Sequence, residues 1–309
     1  MPKVLITGGS GLIGSKLSTL LRDRGTDVVH VSRNVTGKEE FKTYEWDVKN
    51  QTMDSKALDG VESIIHLEGA PIAEEKWTAE RKKEILDSRV LSAKYLLDTC
   101  QANNIKLEHF ISASAIGWYP QVISDTIYDE SAEVASGFLG DVCKAWEASA
   151  DNMQQVSKRV SKVRIGLVLS RYGGALKQIE RPIKFYAGAA LGTGKQQVPW
   201  IHRFDVANIF CYLLEHRLAG VYNAVGPEFC DNKNFMQTVA DIIDRPIMLP
   251  NMPEFLIRLL FGDSAELVLY GPKISCEKIL SEGFQFEFPT MTSALFNIYW
   301  SPQAATPSV

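Results

Sequence analysis

Glycines at positions 8, 11 and 14 stand between an apolar run and an apolar helical stripe, and this arrangement constrains the chain more than any other feature. Residues 3–7 (KVLIT) form a short apolar run suited to a strand buried on both faces. Leu12, Ile13, Leu17, Leu20 and Leu21 then recur at helical spacing until Arg24 and Gly25 stop the pattern. Residues 27–32 (DVVHVS) are a second apolar run, so strand, helix and strand follow within about thirty residues, the size of one βαβ unit. In that setting the three glycines allow a tight turn, close approach of backbone to a pyrophosphate, and close packing of helix on strand. The helix start offers unpaired N–H groups and a partial positive charge to phosphate. The spacing therefore predicts a dinucleotide-binding turn.

The alternation continues down the chain. Residues 43–46 and 63–67 read as strands, 78–103 as a long helix, 109–114 as a strand, 137–156 as a helix and 163–169 as a strand. Strands alternating with helices imply parallel pairing through right-handed crossovers, hence an α/β fold with a doubly wound parallel sheet of the Rossmann type. After Ser170 the texture changes: Gly173, Gly174, Gly188, Gly192 and Gly194 mark a loop-rich excursion. Residues 206–215 read as a helix with Asp205 as its N-cap, and 221–225 as a returning strand. From Pro227 onward the pattern is short helices and turns with an aromatic stretch, 284–288 (FQFEF). The expected division is a cofactor-binding Rossmann domain from 1–170 and 201–225. A smaller, discontinuous C-terminal substrate domain is expected from 171–200 and 226–298, with 299–309 a frayed tail.

Composition excludes several classes. The chain has 309 residues, long enough to bury a full core without staples, and 33 basic against 37 acidic residues give a formal net charge of −4. No bulk field draws it to nucleic acid or an anionic membrane, so neither is expected as a partner. The five cysteines (Cys100, Cys143, Cys211, Cys230, Cys276) form no C-x-x-C pair and fit free thiols in a reducing compartment. The five histidines form no H-x-x-x-H or Cys/His cluster, and no metal site is expected. No run reaches the ~18 apolar residues that span a bilayer. With no charged leader and cleavage site in view, a cytoplasmic location is expected.

The end of the second strand distinguishes the dinucleotides. An NAD site usually places Asp or Glu there to accept from the ribose 2′-hydroxyl. This chain has Ser32-Arg33-Asn34 instead. A carboxylate would repel a 2′-phosphate, whereas a guanidinium pairs with it through two charge-assisted hydrogen bonds, so NADP(H) is the expected cofactor.

The glycine turn with the Ser32–Arg33 strand end resembles the atypical or extended short-chain dehydrogenase/reductase superfamily. The stretches 67–72 (LEGAPI), 81–89 (RKKEILDSR), 112–119 (SASAIGWY), 144–147 (KAWE), 173–176 (GGAL), 192–196 (GTGKQ) and 200–202 (WIH), with Asn223, narrow the likeness. They resemble an NAD(P)-dependent epimerase-like subfamily, some of whose members carry the label of cell-division inhibitor or sugar-nucleotide epimerase. The likeness runs from about residue 3 to residue 296 and includes 271–273 (GPK) and 283–286 (GFQF). It implies NADP contacts at Gly8, Ser10, Gly11, Leu12, Ile13 and Gly14, at Ser32 and Arg33, and at Leu67, Glu68 and Gly69. It further implies Glu84 and Arg89 on the long helix and Val168 beside the nicotinamide. Glu68 departs from the small residue that the resemblance leads one to expect. Homodimers are common in the superfamily, but no residue here locates an interface.

The resemblance also implies a chemical site and exposes a gap in it. Active members use a Ser and a later Tyr-x-x-x-Lys, whose tyrosine exchanges a proton with the substrate oxygen as hydride moves at the nicotinamide. Ser114 and Lys144 match the serine and lysine, but the tyrosine position is Gly140. Tyr119 is the nearest replacement. Two readings follow. One is an NADP(H)-dependent oxidoreductase or epimerase-like enzyme acting on a small polar carbonyl, alcohol or sugar derivative through Ser114, Tyr119 and Lys144. The other is a non-catalytic NADP(H)-binding redox sensor or regulator that lacks the proton donor.

Overall fold

A computed structural model describes residues 1–300. Strand β1 (Lys3–Thr7) leads into helix α1 (Leu12–Asp23) and strand β2 (Asp27–Ser32). Then come β3 (Lys42–Asp47), β4 (Thr52–Met53), β5 (Ser63–His66), α2 (Ala79–Ala102), β6 (His109–Ala115), β7 (Ile127–Tyr128), α3 (Phe138–Asp151) and β8 (Val160–Ile165). The chain leaves this sheet for β9 (Leu167–Leu169), α4 (Ala175–Lys184) and β10 (Trp200–His202), then returns through α5 (Arg203–Glu215) to β11 (Gly220–Ala224). The remainder comprises α6 (Asn232–Ile242), α7 (Glu254–Phe261), α8 (Glu266–Leu269), β12 (Lys273–Ile274), α9 (Glu277–Ser281) and α10 (Met291–Trp300). The tail expected over 299–309 lies outside the described residues except for its first two, which complete α10.

The main sheet runs β11-β8-β6-β5-β1-β2-β3-β4, parallel throughout except for the β3–β4 pair. Strand order reverses between β1 and β5. The crossovers from these two strands leave in opposite directions, which opens a crevice at their C-terminal ends, where doubly wound sheets bind ligands. Side-chain alternation builds a core on each face. Val4 and Ile6 pack with Leu17 and Leu21 of α1 and Val206 and Phe210 of α5. Leu5 packs on the opposite face with Leu96 and Cys100 of α2 and Ala150 of α3. A third core, around Leu169, Trp200, Phe235 and Leu295, joins β9 and β10 to α6 and α10. The C-terminal segment also reaches back: Leu267 packs on the cluster of Trp77, Ile85, Leu139 and Val142, and Lys82 Nζ donates to Asp263 at 2.8 Å.

Two sequence expectations are corrected. The strand expected over 163–169 is two strands. At Gly166 the backbone changes partner, with Gly166 N donating to Ala224 O and Leu167 N to Pro199 O, and this carries the chain from the main sheet into the β9–β10 pair. Asp205 is not the N-cap of α5. The helix starts at Arg203, and His202 Nδ1 accepts from Phe204 N. Asp205 lies inside the first turn and accepts from Glu287 N and Phe288 N, pinning the aromatic stretch near the C-terminus.

Candidate dinucleotide site and an adjacent buried network

The β1–α1 turn rests on approaches that only glycine permits. Gly8 has φ +67°, and a Cβ there would lie 3.0 Å from Leu67 O. A Cβ on Gly14 would fall 2.3 Å from Gly8 O, so this glycine lets α1 close on the turn. Gly11 is the N-cap of α1; no side chain caps the helix and its first turn has no acidic residue. The leading N–H groups are thus open to an anion, flanked by exposed Ser10 and by half-buried Leu12 and Ile13. Arg203, which sequence reasoning misses, donates from Nε to Leu12 O at 2.5 Å and from Nη2 to Ser15 Oγ at 2.7 Å. It adds positive charge to the first turn of α1. No local pattern announces it, because the two ends of the contact are 191 residues apart.

At the end of β2, Ser32 Oγ donates to Asn34 O and accepts from Asn34 N, forming a tight turn that leaves Arg33 exposed. Across β1, Thr7 Oγ1 accepts from Leu67 N and Glu68 N, both at 3.2 Å, and so fixes the segment after β5. Glu68 is half-buried. Burial pushes its carboxyl above the ordinary range, and the charge of Arg33 pulls it back. Gly69 is exposed, and Ala70 O accepts from buried Arg89 at 3.0 Å. Arg89 also donates to Ile85 O and lies 4.8 Å over the Trp146 ring; burial lowers it to about 10. The glycine turn, Ser32–Arg33 and Leu67–Gly69 therefore meet at the C-terminal ends of three adjacent strands. Glu84 stands apart on α2, exposed and paired with Arg81 at 2.7 Å. Val168 is the middle residue of β9, paired with Ile201.

The three candidates for chemistry lie in very different surroundings. Ser114 is buried near the end of β6, and its hydroxyl donates to Glu147 Oε1 at 2.8 Å. Glu147 is also gripped by Arg164, with Nε to Oε1 at 2.8 Å and Nη2 to Oε2 at 3.2 Å. Arg164 Nη1 donates to the Tyr119 hydroxyl oxygen at 3.1 Å, and its guanidinium lies 3.9 Å over Trp118. Tyr119 is wholly buried. It donates to Asn223 Oδ1 at 2.6 Å, and burial pushes its hydroxyl up to about 12. The expectation that Tyr119 stands in for the motif tyrosine thus meets a physical obstacle: its proton is committed inside the core. Lys144 is exposed on α3 and has no hydrogen bond or ion pair to a described residue. Gly140 is closed by the loop before α3, since a Cβ there would lie 1.9 Å from Ala135 O. In the sequence Glu147 stands out only as part of KAWE, and Arg164 not at all, because a lone arginine in a strand gives no sign of being buried.

Fold and site together define a Rossmann nucleotide-binding protein of the short-chain dehydrogenase/reductase kind. A model described as the NAD dependent epimerase/dehydratase family matches residues 4–225, and a Domain of unknown function (DUF1731) matches residues 252–298. The chain belongs to the NAD dependent epimerase/dehydratase family. It is 30% identical over 294 residues to Epimerase family protein YfhF of Bacillus subtilis, covering 94% of this chain and 96% of that protein. It is also 30% identical to Epimerase family protein ML0860 of Mycobacterium leprae, covering 94% of each. The crystal structure of human epimerase family protein SDR39U1 (isoform 2), determined with NADPH, superposes with a TM-score of 0.84 at 29% identity. That match covers 96% of this chain and 98% of the human one. Among the described residues no helix is long and apolar enough to cross a membrane.

Proposed function

We propose that this chain binds NADP(H) and acts as an oxidoreductase or epimerase-like enzyme on a small polar carbonyl or alcohol, sugar derivatives included. One observation carries the reading. Exposed Arg33, with no hydrogen bond or ion pair to a described residue, stands beside a glycine turn whose helix start is open to an anion. The human relative determined with NADPH supports it. When bound, the nicotinamide supplies hydride exchange at its ring. The first N–H groups of α1 hold the pyrophosphate, and Arg33 pairs with the 2′-phosphate. Leu67, Glu68 and Gly69, just past the end of β5, would border the bound dinucleotide, and Val168 of β9 would lie toward the nicotinamide. The Ser114 hydroxyl donates its hydrogen bond to the Glu147 carboxylate, so toward a ligand its oxygen acts as an acceptor. That polarity suits an alcohol O–H more than a carbonyl.

A second reading, a sensor that binds NADP(H) without turnover, is favoured by the closed position at Gly140 and the buried hydroxyl of Tyr119. NADPH oxidation and NADP+ reduction over a panel of small carbonyls, alcohols and sugar derivatives separate the two. Turnover that falls at least about tenfold in Ser114→Ala, with Lys144→Ala as a companion, supports the enzyme. Tight NADPH binding without turnover across the panel supports the sensor.

A further inference from the structure

The sheet register sets two opposite charges on either side of the glycine turn. Thr7, the last residue of β1, pairs with Val31 of β2 and with His66 of β5. Two residues beyond each partner stand Arg33 and Glu68, with the backbone of Gly8 and Gly9 between them. On the Glu68 side that backbone closes against Leu67 O, and the two hydrogen bonds to Thr7 Oγ1 fix where the Glu68 side chain leaves the main chain. The Glu68 carboxylate is half-buried and makes no hydrogen bond or ion pair with a described residue, yet it lies close enough to Arg33 for the two charges to act on each other. A partly desolvated carboxylate without a donor is costly unless a ligand supplies one.

A dinucleotide site selective for NAD(H) normally takes its ribose-binding carboxylate from the end of the second strand. Here that strand end carries Arg33, and a carboxylate arrives from the strand on the other side of β1. Building on the NADP(H) reading above, we propose that Glu68 is a cofactor-selectivity residue that opposes Arg33. It repels a 2′-phosphate and accepts from a ribose hydroxyl, so the site favours NADP(H) only modestly and takes NAD(H) as well. Neither charge needs to touch the other for this. Both would act on the adenosine end of a bound dinucleotide, where a half-buried carboxylate would repel a 2′-phosphate more strongly than in bulk water.

The test is a set of fluorescence titrations of NADPH and NADH into the wild-type chain, Glu68→Gln and Glu68→Ala at one ionic strength, with the fold of each variant checked by circular dichroism. Glu68→Gln keeps the shape and removes the charge. It should bind NADPH about tenfold more tightly and NADH about twofold more weakly, and Glu68→Ala should move the ratio of the two dissociation constants in the same direction. A ratio within twofold of wild type in both variants overturns the role of Glu68 and leaves the NADP(H) reading standing. Failure of the wild-type chain to bind either dinucleotide overturns both.

Discussion

At the residue scale, the buried ion pair of Glu147 and Arg164 organises the ground beneath Ser114. Removing two charges from water costs several kcal/mol per ion, and the forked contact, the Ser114 hydroxyl, the Tyr119 oxygen and the Trp118 face together offset that cost. Removing one partner strands the other. Glu147→Ala should lower stability by about 3–5 kcal/mol in urea unfolding, while the joint change Glu147→Leu with Arg164→Met should recover most of it. Gly140 gives a second prediction at this scale. Gly140→Tyr restores the motif on paper, but its first side-chain carbon meets Ala135 O. The variant should lose about 1–3 kcal/mol and gain no turnover, read by thermal unfolding and the NADPH assay. A stable and more active Gly140→Tyr would contradict the geometry at α3.

At the element scale, strand β11 closes one end of the sheet and has its outer edge capped by side chains. Lys278 Nζ donates to Val221 O at 2.8 Å, and Glu130 Oε1 accepts from Asn223 N at 2.8 Å. An edge with its backbone groups occupied is a poor template for another strand. Glu130→Ala combined with Lys278→Ala should therefore raise light scattering on mild heating relative to wild type, while each single change has a smaller effect. Elements are the most legible part of the sequence. The glycine turn, α1 and the end of β2 can be read because their signals lie within a few residues of one another. The long helix α2 is bounded closely because Thr78 caps it through Arg81 N. The partner exchange at Gly166 is not legible, because one apolar run serves two sheets. The contacts of Arg203 with Leu12, and of Tyr119 with Asn223, depend on strand order and lie far apart in the chain. The same holds for Asp205, whose partners come from residues near the C-terminus.

At the scale of the whole molecule, buried imidazoles set the response to acid. Burial lowers His66 to about 3 and His30, His109 and His202 to about 4 each. In the unfolded chain a histidine titrates near 6.5, so between about pH 6.5 and 4 the unfolded state binds more protons, and stability falls as pH falls. Asp205 works the other way. Burial raises it to about 6, so its contribution is present at low pH and is lost as pH rises through 6. Near pH 5 the sum is an uptake of about two to three protons on unfolding. Urea unfolding at a series of pH values should show stability falling from pH 7 to pH 4.5, with a shallower slope for His109→Gln, whose ring otherwise sits against Ser161 Oγ. Stability that stays level over that range would rule out these imidazoles as neutral core groups.

On the proposed function, one crevice in the sheet, with Arg33 at its edge, holds a 2′-phosphorylated dinucleotide. Titration of NADPH into the wild-type chain and into Arg33→Ala is the decisive measurement. Saturable binding by the wild type is expected, with a loss of at least about tenfold in NADPH affinity in Arg33→Ala and NADH affinity little changed. An NADPH affinity unchanged by the substitution would contradict a 2′-phosphate held at Arg33.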